Sequence, residues 1–409
     1  MQDKGLDRRV RVLSAGQALN ALGGGLLIPY LPHYLKEGAG SALGVGVVFA
    51  LATLASASGR VVGGELADRL GRRRVILGAT LLRSVFFILM SLAGFLSYPV
   101  AALAACYVAA SFPRGALEPA SDAMVADVVP DAYRARAYSY LRIARNAGWA
   151  LGPMAGSFVG EGGLAPLALA TGLLGIVNLA QCAWLLPESP HSAPTSRFHP
   201  QDLALALKDR VFRAHSLASF ALFVGFAQLL VTVSLDVPAR LHVEPSQLKW
   251  IFTLNGAMVV LFQALVTRAA GTVRRSHALA LGAILYGAGF LVIGLSEHLA
   301  GVVVGAGIVT LGELLSLPAC VALAAELAPE KSRGRYLGAY GLFLDLGHGT
   351  GQIVGGAGLS AFSYRPALFW IAVAAFCCAT GIAYLYVGRL FRERKRAILA
   401  AQVTPPSAG

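Results

Sequence analysis

A few ionisable residues lie inside apolar stretches, where no water is at hand to solvate them. Arg114, Glu118 and Asp122 stand at i, i+4 and i+8 in CYVAASFPRGALEPASDAMVADV, hence along one helical face. Glu313 is isolated in LGELLSLP, and Asp345 and His348 are spaced i, i+3 in LFLDLGHGTG, close enough to touch. Such groups are costly in hydrocarbon and face a polar cavity or one another. The chemistry open to them is proton exchange. A low-dielectric site favours a protonated carboxyl group and a neighbouring arginine favours the ionised form, so an acid moved between the two takes up and releases a proton. Glu313 is the expected proton carrier and Asp345 the second candidate, with Glu118 and Asp122 binding a cation or proton beside Arg114. Plainer roles stand next to these. Glu313 can be a structural acid hydrogen-bonded to a neighbouring helix, and Glu118 and Asp122 can pair with Arg114 along their own helix. Asp345 and His348 form either a relay or a satisfied buried pair.

The elements that position these residues occur twice. Pro113 to Gly156 reads PRGALEPASDAMVADVVPDAYRARAYSYLRIARNAGWALGPMAG, and Gly312 to Gly355 reads GELLSLPACVALAAELAPEKSRGRYLGAYGLFLDLGHGTGQIVG. Pro119 falls on Pro318, Asp127 on Glu326, Arg134 and Arg136 on Arg333 and Arg335, and Gly148, Gly152 and Gly156 on Gly347, Gly351 and Gly355. Further along, LGATLLRSVFF from Leu77 resembles LGAILYGAGFL from Leu281. A same-direction repeat of membrane helices half a chain apart is the mark of a carrier built from two parallel halves. The copy breaks where Arg114 falls on Glu313 and Asn146 on Asp345. Those mismatches mark the expected working site.

The composition agrees with a chain whose solvent is mostly lipid: 409 residues, 56% hydrophobic, 13% charged, mean hydropathy +0.65. Apolar runs of roughly 20 residues predict twelve spans, the first near 12–35 and the last near 366–388. The fold class expected is an all-α membrane protein, twelve transmembrane helices in two pseudo-symmetric six-helix bundles. The bundles cover 1–186 and 211–389, with a cytoplasmic linker at 187–210 and a basic, disordered cytoplasmic tail at 390–409. The net charge of +13 is a topology signal. Arginine and lysine crowd alternate connections, including both termini, while the opposite connections hold only Lys36, Arg240, Lys249 and Arg365. The positive-inside rule puts both termini in the cytoplasm, and nucleic-acid binding is not needed to explain the charge. All of Cys106, Cys182, Cys320, Cys377 and Cys378 fall in apolar spans, which argues against disulfides and a metal site. The first span is too long for a signal-peptide core and reads as an uncleaved helix.

The turn GELADRLGRRR joins the second and third spans, and Gly71 permits its tightness through positive φ. Asp68 there requires a cation or a helix N-terminus, and Arg72 or Arg73 is within reach of Asp127. The pattern G-x-L-x-D-R-x-G-R-R, carried by Gly64, Leu66, Asp68, Arg69, Gly71, Arg72 and Arg73, resembles the signature loop of the major facilitator superfamily. With the spans and the repeat, the resemblance covers essentially the whole chain. It implies that this loop gates the two halves, and that Arg114 belongs to the family's proton-coupling motif, although Glu118 stands where that motif has glycine. The counterpart from Arg268 to Arg275 is degenerate, so any latch is asymmetric.

In the fifth span, Gly148, Gly152, Pro153 and Gly156 allow a close helix approach and a bend. The ladder resembles the G-x-x-x-G-P-x-x-G-G motif of the family's drug:proton antiporters, with Ser157 in place of the last glycine. Cavity candidates are Asn20, Arg83, Asn146, Gln228, Asn255, Gln263 and His348, beside further intramembrane cations Arg60, Arg142 and Arg145. Arg142 and Arg145, near the cytoplasmic end, are placed to snorkel. The resemblance implies a monomeric proton-coupled exporter of amphipathic small molecules in the plasma membrane, driven by the proton gradient with no cofactor. The alternative is a specific carrier of a lipid, sugar or metabolite, which several cavity cations would suit. A membrane enzyme or receptor is disfavoured: HExxH, GxSxG and the phosphate-binding G-x-x-x-x-G-K-[ST] loop are all missing from the sequence.

Overall fold

A computed structural model describes residues 8–186, 207–271, 273–329 and 333–403. Among them there is no strand. The first six helices are α1 (Arg8–Gly38), α2 (Ala42–Leu70), α3 (Arg72–Phe95), α4 (Val100–Val128), α5 (Asp131–Val159) and α6 (Leu164–Leu185). The second six are α7 (Arg210–Leu241), α8 (Leu248–Ala270), α9 (Arg275–Leu295), α10 (Leu299–Leu327), α11 (Arg333–Ala361) and α12 (Pro366–Val403). Among the described residues ten helices are long and apolar enough to cross a membrane by composition alone. The other two, α5 and α11, are 29 residues each and are the second members of the repeat. The arginines and glycines of α5 and α11 lower their hydropathy, and glycines of both helices pack against the backbone of α1 or α7.

Local chemistry sets the ends. Ser41 caps α2, its Oγ accepting from the Gly44 amide at 3.3 Å. Asp209 caps α7, accepting from the amides of Val211 and Phe212 at 2.9 and 3.1 Å. Gly71, at φ +94°, is the single residue between α2 and α3. Most of the linker expected at 187–210 lies outside the described residues. The tail differs from expectation: α12 continues without a break to Val403. Its run RERKRAILAAQV is made of strong helix formers, and Arg389 pairs with Glu393 one turn on at 2.9 Å.

Packing repeats with the sequence. In the first half α1 lies on α5 and α6, α4 on α2 and α3, and α3 on α6; in the second, α7 lies on α11 and α12, α10 on α8 and α9, and α9 on α12. The halves meet along α2 with α11 and α5 with α8. The glycine ladders explain the central pairs. A Cβ on Gly152 would lie 2.6 Å from the Cα of Gly25 on α1, and one on Gly347 or Gly351 would lie 2.5 Å from the Phe220 or Val224 carbonyl on α7. Gly148 and Gly156 face α1 in the same way, and the Tyr30 hydroxyl donates to the Pro153 carbonyl at 2.5 Å.

Candidate functional site

Between the halves lies a central cavity of about 470 Å³. Its walls come from α1, α2, α4 and α5, with Arg83 of α3, on one side and α7, α8, α10 and α11 on the other. The halves close at the end opposite the termini. There a Cβ on Gly256 of α8 would lie 2.5 Å from the Cα of Ala150, Gly46 and Gly356 press on α11 and α2 backbone, and the Lys249 ammonium sits 5.6 Å from the Phe158 ring. Towards the termini the walls part, and Arg60 and Glu118 keep 43% and 50% side-chain exposure.

Glu313 faces this cavity. Its Oε2 accepts from the Asn255 side-chain amide at 2.8 Å, and the same Nδ2 reaches Thr310 Oγ1 at 3.0 Å. Asp345, on α11, accepts from Arg60 Nη1 of α2 at 2.8 Å, an ion pair between the halves. Across the cavity Arg83 donates to Asn20 Oδ1 at 2.9 Å and lies over the Phe87 ring at 5.2 Å. Arg114, Asn146 and His348 also line the space.

Several expected arrangements take a different form. Glu118 pairs with Arg145 of α5, not with Arg114 on its own helix. Arg145 therefore turns inward to the cavity instead of snorkelling, because a carboxylate stands opposite it. Asp122 is exposed and lies beyond the cavity wall, its backbone carbonyl accepting from Tyr138. His348 sits 5.9 Å from the Phe226 ring and has no bond to Asp345, whose carboxylate is turned to Arg60. Gln228 is buried away from the cavity and donates to the Val224 and Gly351 carbonyls at 2.8 Å, tying α7 to α11. Gln263 reaches from α8 to the Leu314 carbonyl of α10 at 3.1 Å, again outside the cavity. Arg60, an intramembrane cation by sequence, joins the site through its pairing with Asp345. The signal for it is the antiparallel register of α2 and α11, where Thr53 meets Gln352 at 3.2 Å and Arg60 meets Asp345 two turns on.

At the end that carries the termini, Arg72 is buried and bridges Asp68 and Asp127, the second at 3.4 Å. Arg73 donates to the Ala183 and Leu186 carbonyls, both at 2.7 Å, and closes the end of α6. Arg69 turns outward to Glu65 at 2.5 Å. No atom lies within 4 Å of a Cβ built on Gly64. The signature turn thus fastens α2, α3, α4 and α6 of one half to one another.

Comparison with known proteins agrees with this architecture. The family model described as Major Facilitator Superfamily matches residues 13–238 and again 216–407. The chain belongs to the major facilitator superfamily. It is 27% identical over 320 residues to the multidrug resistance protein MdtH of Cronobacter sakazakii, covering 77% of each chain. It is 22% identical over 425 residues to a Na(+), Li(+), K(+)/H(+) antiporter of Planococcus maritimus, covering 96% of this chain and 99% of that one. Among solved structures it is similar to the human organic anion transporter MFSD10, with a TM-score of 0.66 at 20% identity over 93% and 98% of the two chains. The chain is therefore an integral membrane protein with the transporter fold of this superfamily.

Proposed function

We propose that the protein is a proton-coupled exporter of amphipathic small molecules in the bacterial inner membrane, working by alternating access as an antiporter. The observation that carries this reading is the pair of second-half carboxylates, Glu313 and Asp345, set on one cavity with the first-half cations Arg60, Arg83 and Arg114. The resemblance to a multidrug resistance protein and to a cation/proton antiporter supports it.

The geometry suggests how exchange would run. With the cavity open towards the termini, the Asn255 amide steadies Glu313 and Arg60 neutralises Asp345. A proton on Asp345 would abolish that ion pair and loosen α2 from α11. A substrate group that engages Arg60 would compete for the same cation. A proton on Asp345 and a cargo group on Arg60 each break the same ion pair and so favour one another. The competition that antiport requires is left to Glu313, where a cargo group that needs the ionised carboxylate would displace its proton. Four arginines on the wall, Arg60, Arg83, Arg114 and Arg145, outnumber the carboxylates Glu118, Glu313 and Asp345. That surplus favours cargo bearing a negative group, and keeps a second reading in view, a carrier of an anionic lipid or metabolite on the same fold.

The test is transport in proteoliposomes under an imposed pH gradient, wild type against Glu313→Gln. The expected outcome is loss of gradient-driven flux with substrate binding retained. Unchanged coupling in the variant would remove Glu313 from the mechanism.

A further inference from the structure

A second cavity, of about 540 Å³, opens between the ends of α8, α9, α10 and α12 that lie towards the termini. Its first-half counterpart is filled. There Gly59, Gly63 and Gly115 let α2 and α4 meet backbone to backbone, and the Arg72 side chain plugs the end between Asp68 and Asp127. The corresponding stretch of α8 carries Gln263 and Thr267 in place of the glycines. The Gln263 amide has to reach across to the Leu314 carbonyl at 3.1 Å. The alignment of Leu77 with Leu281 sets Arg72 on Ser276, which is short and buried. The guanidinium that meets Glu326, the counterpart of Asp127, comes from Arg275, and the cavity stays open beside that pair.

What remains is basic at the mouth and apolar inside. Arg274, Arg275, Arg392 and Lys395 stand at the mouth with a single carboxylate, Glu326. Glu326 pairs with Arg275 and, at 2.8 Å, with Lys395. Among the described residues neither Arg274 nor Arg392 has an acidic partner. From Glu326 to Leu314 the wall follows α10 for roughly 18 Å at the helical rise of about 1.5 Å per residue, lined by Leu323, Ala319, Pro318 and Leu315. A cluster of cations at the end of a membrane helix bundle, above an apolar slot of that depth, matches a phosphate headgroup with an acyl chain below it.

We propose that this cavity binds an anionic phospholipid, its phosphate held by Arg274 and Arg392 and one acyl chain lying along α10. The site is separate from the central cavity and does not depend on which cargo that cavity takes. It uses the asymmetry of the repeat: one half packs this position shut with its glycines and Arg72, and the other leaves a cavity beside its Arg275–Glu326 pair for a lipid.

The experiment is native mass spectrometry of the full chain released from bilayers of phosphatidylglycerol and phosphatidylcholine. Wild type is expected to retain phosphatidylglycerol in preference to phosphatidylcholine. The variant Arg274→Gln/Arg392→Gln should lose that preference roughly thirty-fold, two arginines' worth of headgroup attraction, whereas Arg274→Lys/Arg392→Lys should keep it. Ser276→Arg gives a second reading. It fills the cavity beside the Arg275–Glu326 pair and should expel the lipid although it adds positive charge. Retention by the glutamine variant, or greater retention by Ser276→Arg as mere surface charge would give, overturns the site. Displacement of the lipid by millimolar inorganic phosphate would show that the slot contributes nothing, and overturns the lipid as occupant.

Discussion

The two seams between the halves are related by the repeat, yet different side chains hold them. Both are close-packed at the end away from the termini, through Gly46 and Gly356 where α2 meets α11, and through Gly256 where α8 meets α5. Deeper in, the α2–α11 seam turns polar, with Thr53 on Gln352 and Arg60 on Asp345. At the α5–α8 seam the described charged contact is Lys249 over the Phe158 ring of α5. Duplication thus accounts for the shared geometry, and substitution has placed an ion pair, Arg60 with Asp345, on one seam. A protein that pivots on both is expected to feel a proton at that seam.

The largest effect expected is at the α5–α8 seam. Gly256→Leu would set a side chain where even a Cβ lies 2.5 Å from backbone of α5. Overpacking of this kind costs about 1–3 kcal/mol, so the conformation closed at this end should lose roughly tenfold or more of its population. Spin labels on the α1–α2 and α7–α8 turns would report it as a shift to long distances. An unchanged distribution would mean that α5 and α8 do not form the closing contact.

The polar seam should respond less. The Arg60–Asp345 pair keeps 43% and 20% side-chain exposure, so solvent screening holds its worth to about 1 kcal/mol, roughly a fivefold shift in the same distribution. Arg60→Gln and Asp345→Asn should each produce that shift, and the double variant should add nothing. Acidification should reproduce it in wild type and leave Asp345→Asn unmoved. Additive single effects would show that the two residues act separately, and the contrast between the seams would then lose its basis.

The difference between the seams also shows what could be read from residue order and what could not. Helix number, the repeat and the glycine faces follow from patterns within a helix or between copies, and Arg72 reaching Asp127 needs only neighbouring helices of one half. Glu313 was readable as a cavity group because a lone acid in an apolar run has few other places to go. The pairing of Arg60 with Asp345 depends on the register between halves, which no local pattern encodes. Helical spacing allows Glu118 to pair with Arg114, but its described partner is Arg145 on the next helix. Gln228 and Asn255 are similar amides on inward faces. One ties α7 to α11 and the other holds Glu313, since inward in a membrane bundle means either a helix seam or the cavity.

The smallest effect expected is at Lys249, and it is the sharpest check on the contrast between the seams. Its ammonium lies 5.6 Å from the Phe158 ring and 5.7 Å from the Trp250 ring. An exposed cation–π contact is worth about 0.5–1 kcal/mol, so Lys249→Gln should move the spin-label distribution only about two- to fivefold. The shift should be the same at acid and neutral pH, because no carboxylate partner is described for Lys249. Arg60→Gln behaves differently, since its effect should shrink as Asp345 takes a proton. If the Lys249 variant also lost its effect on acidification, a titrating group would have to act at this seam too. The halves would then be coupled to protons on both sides of the cavity.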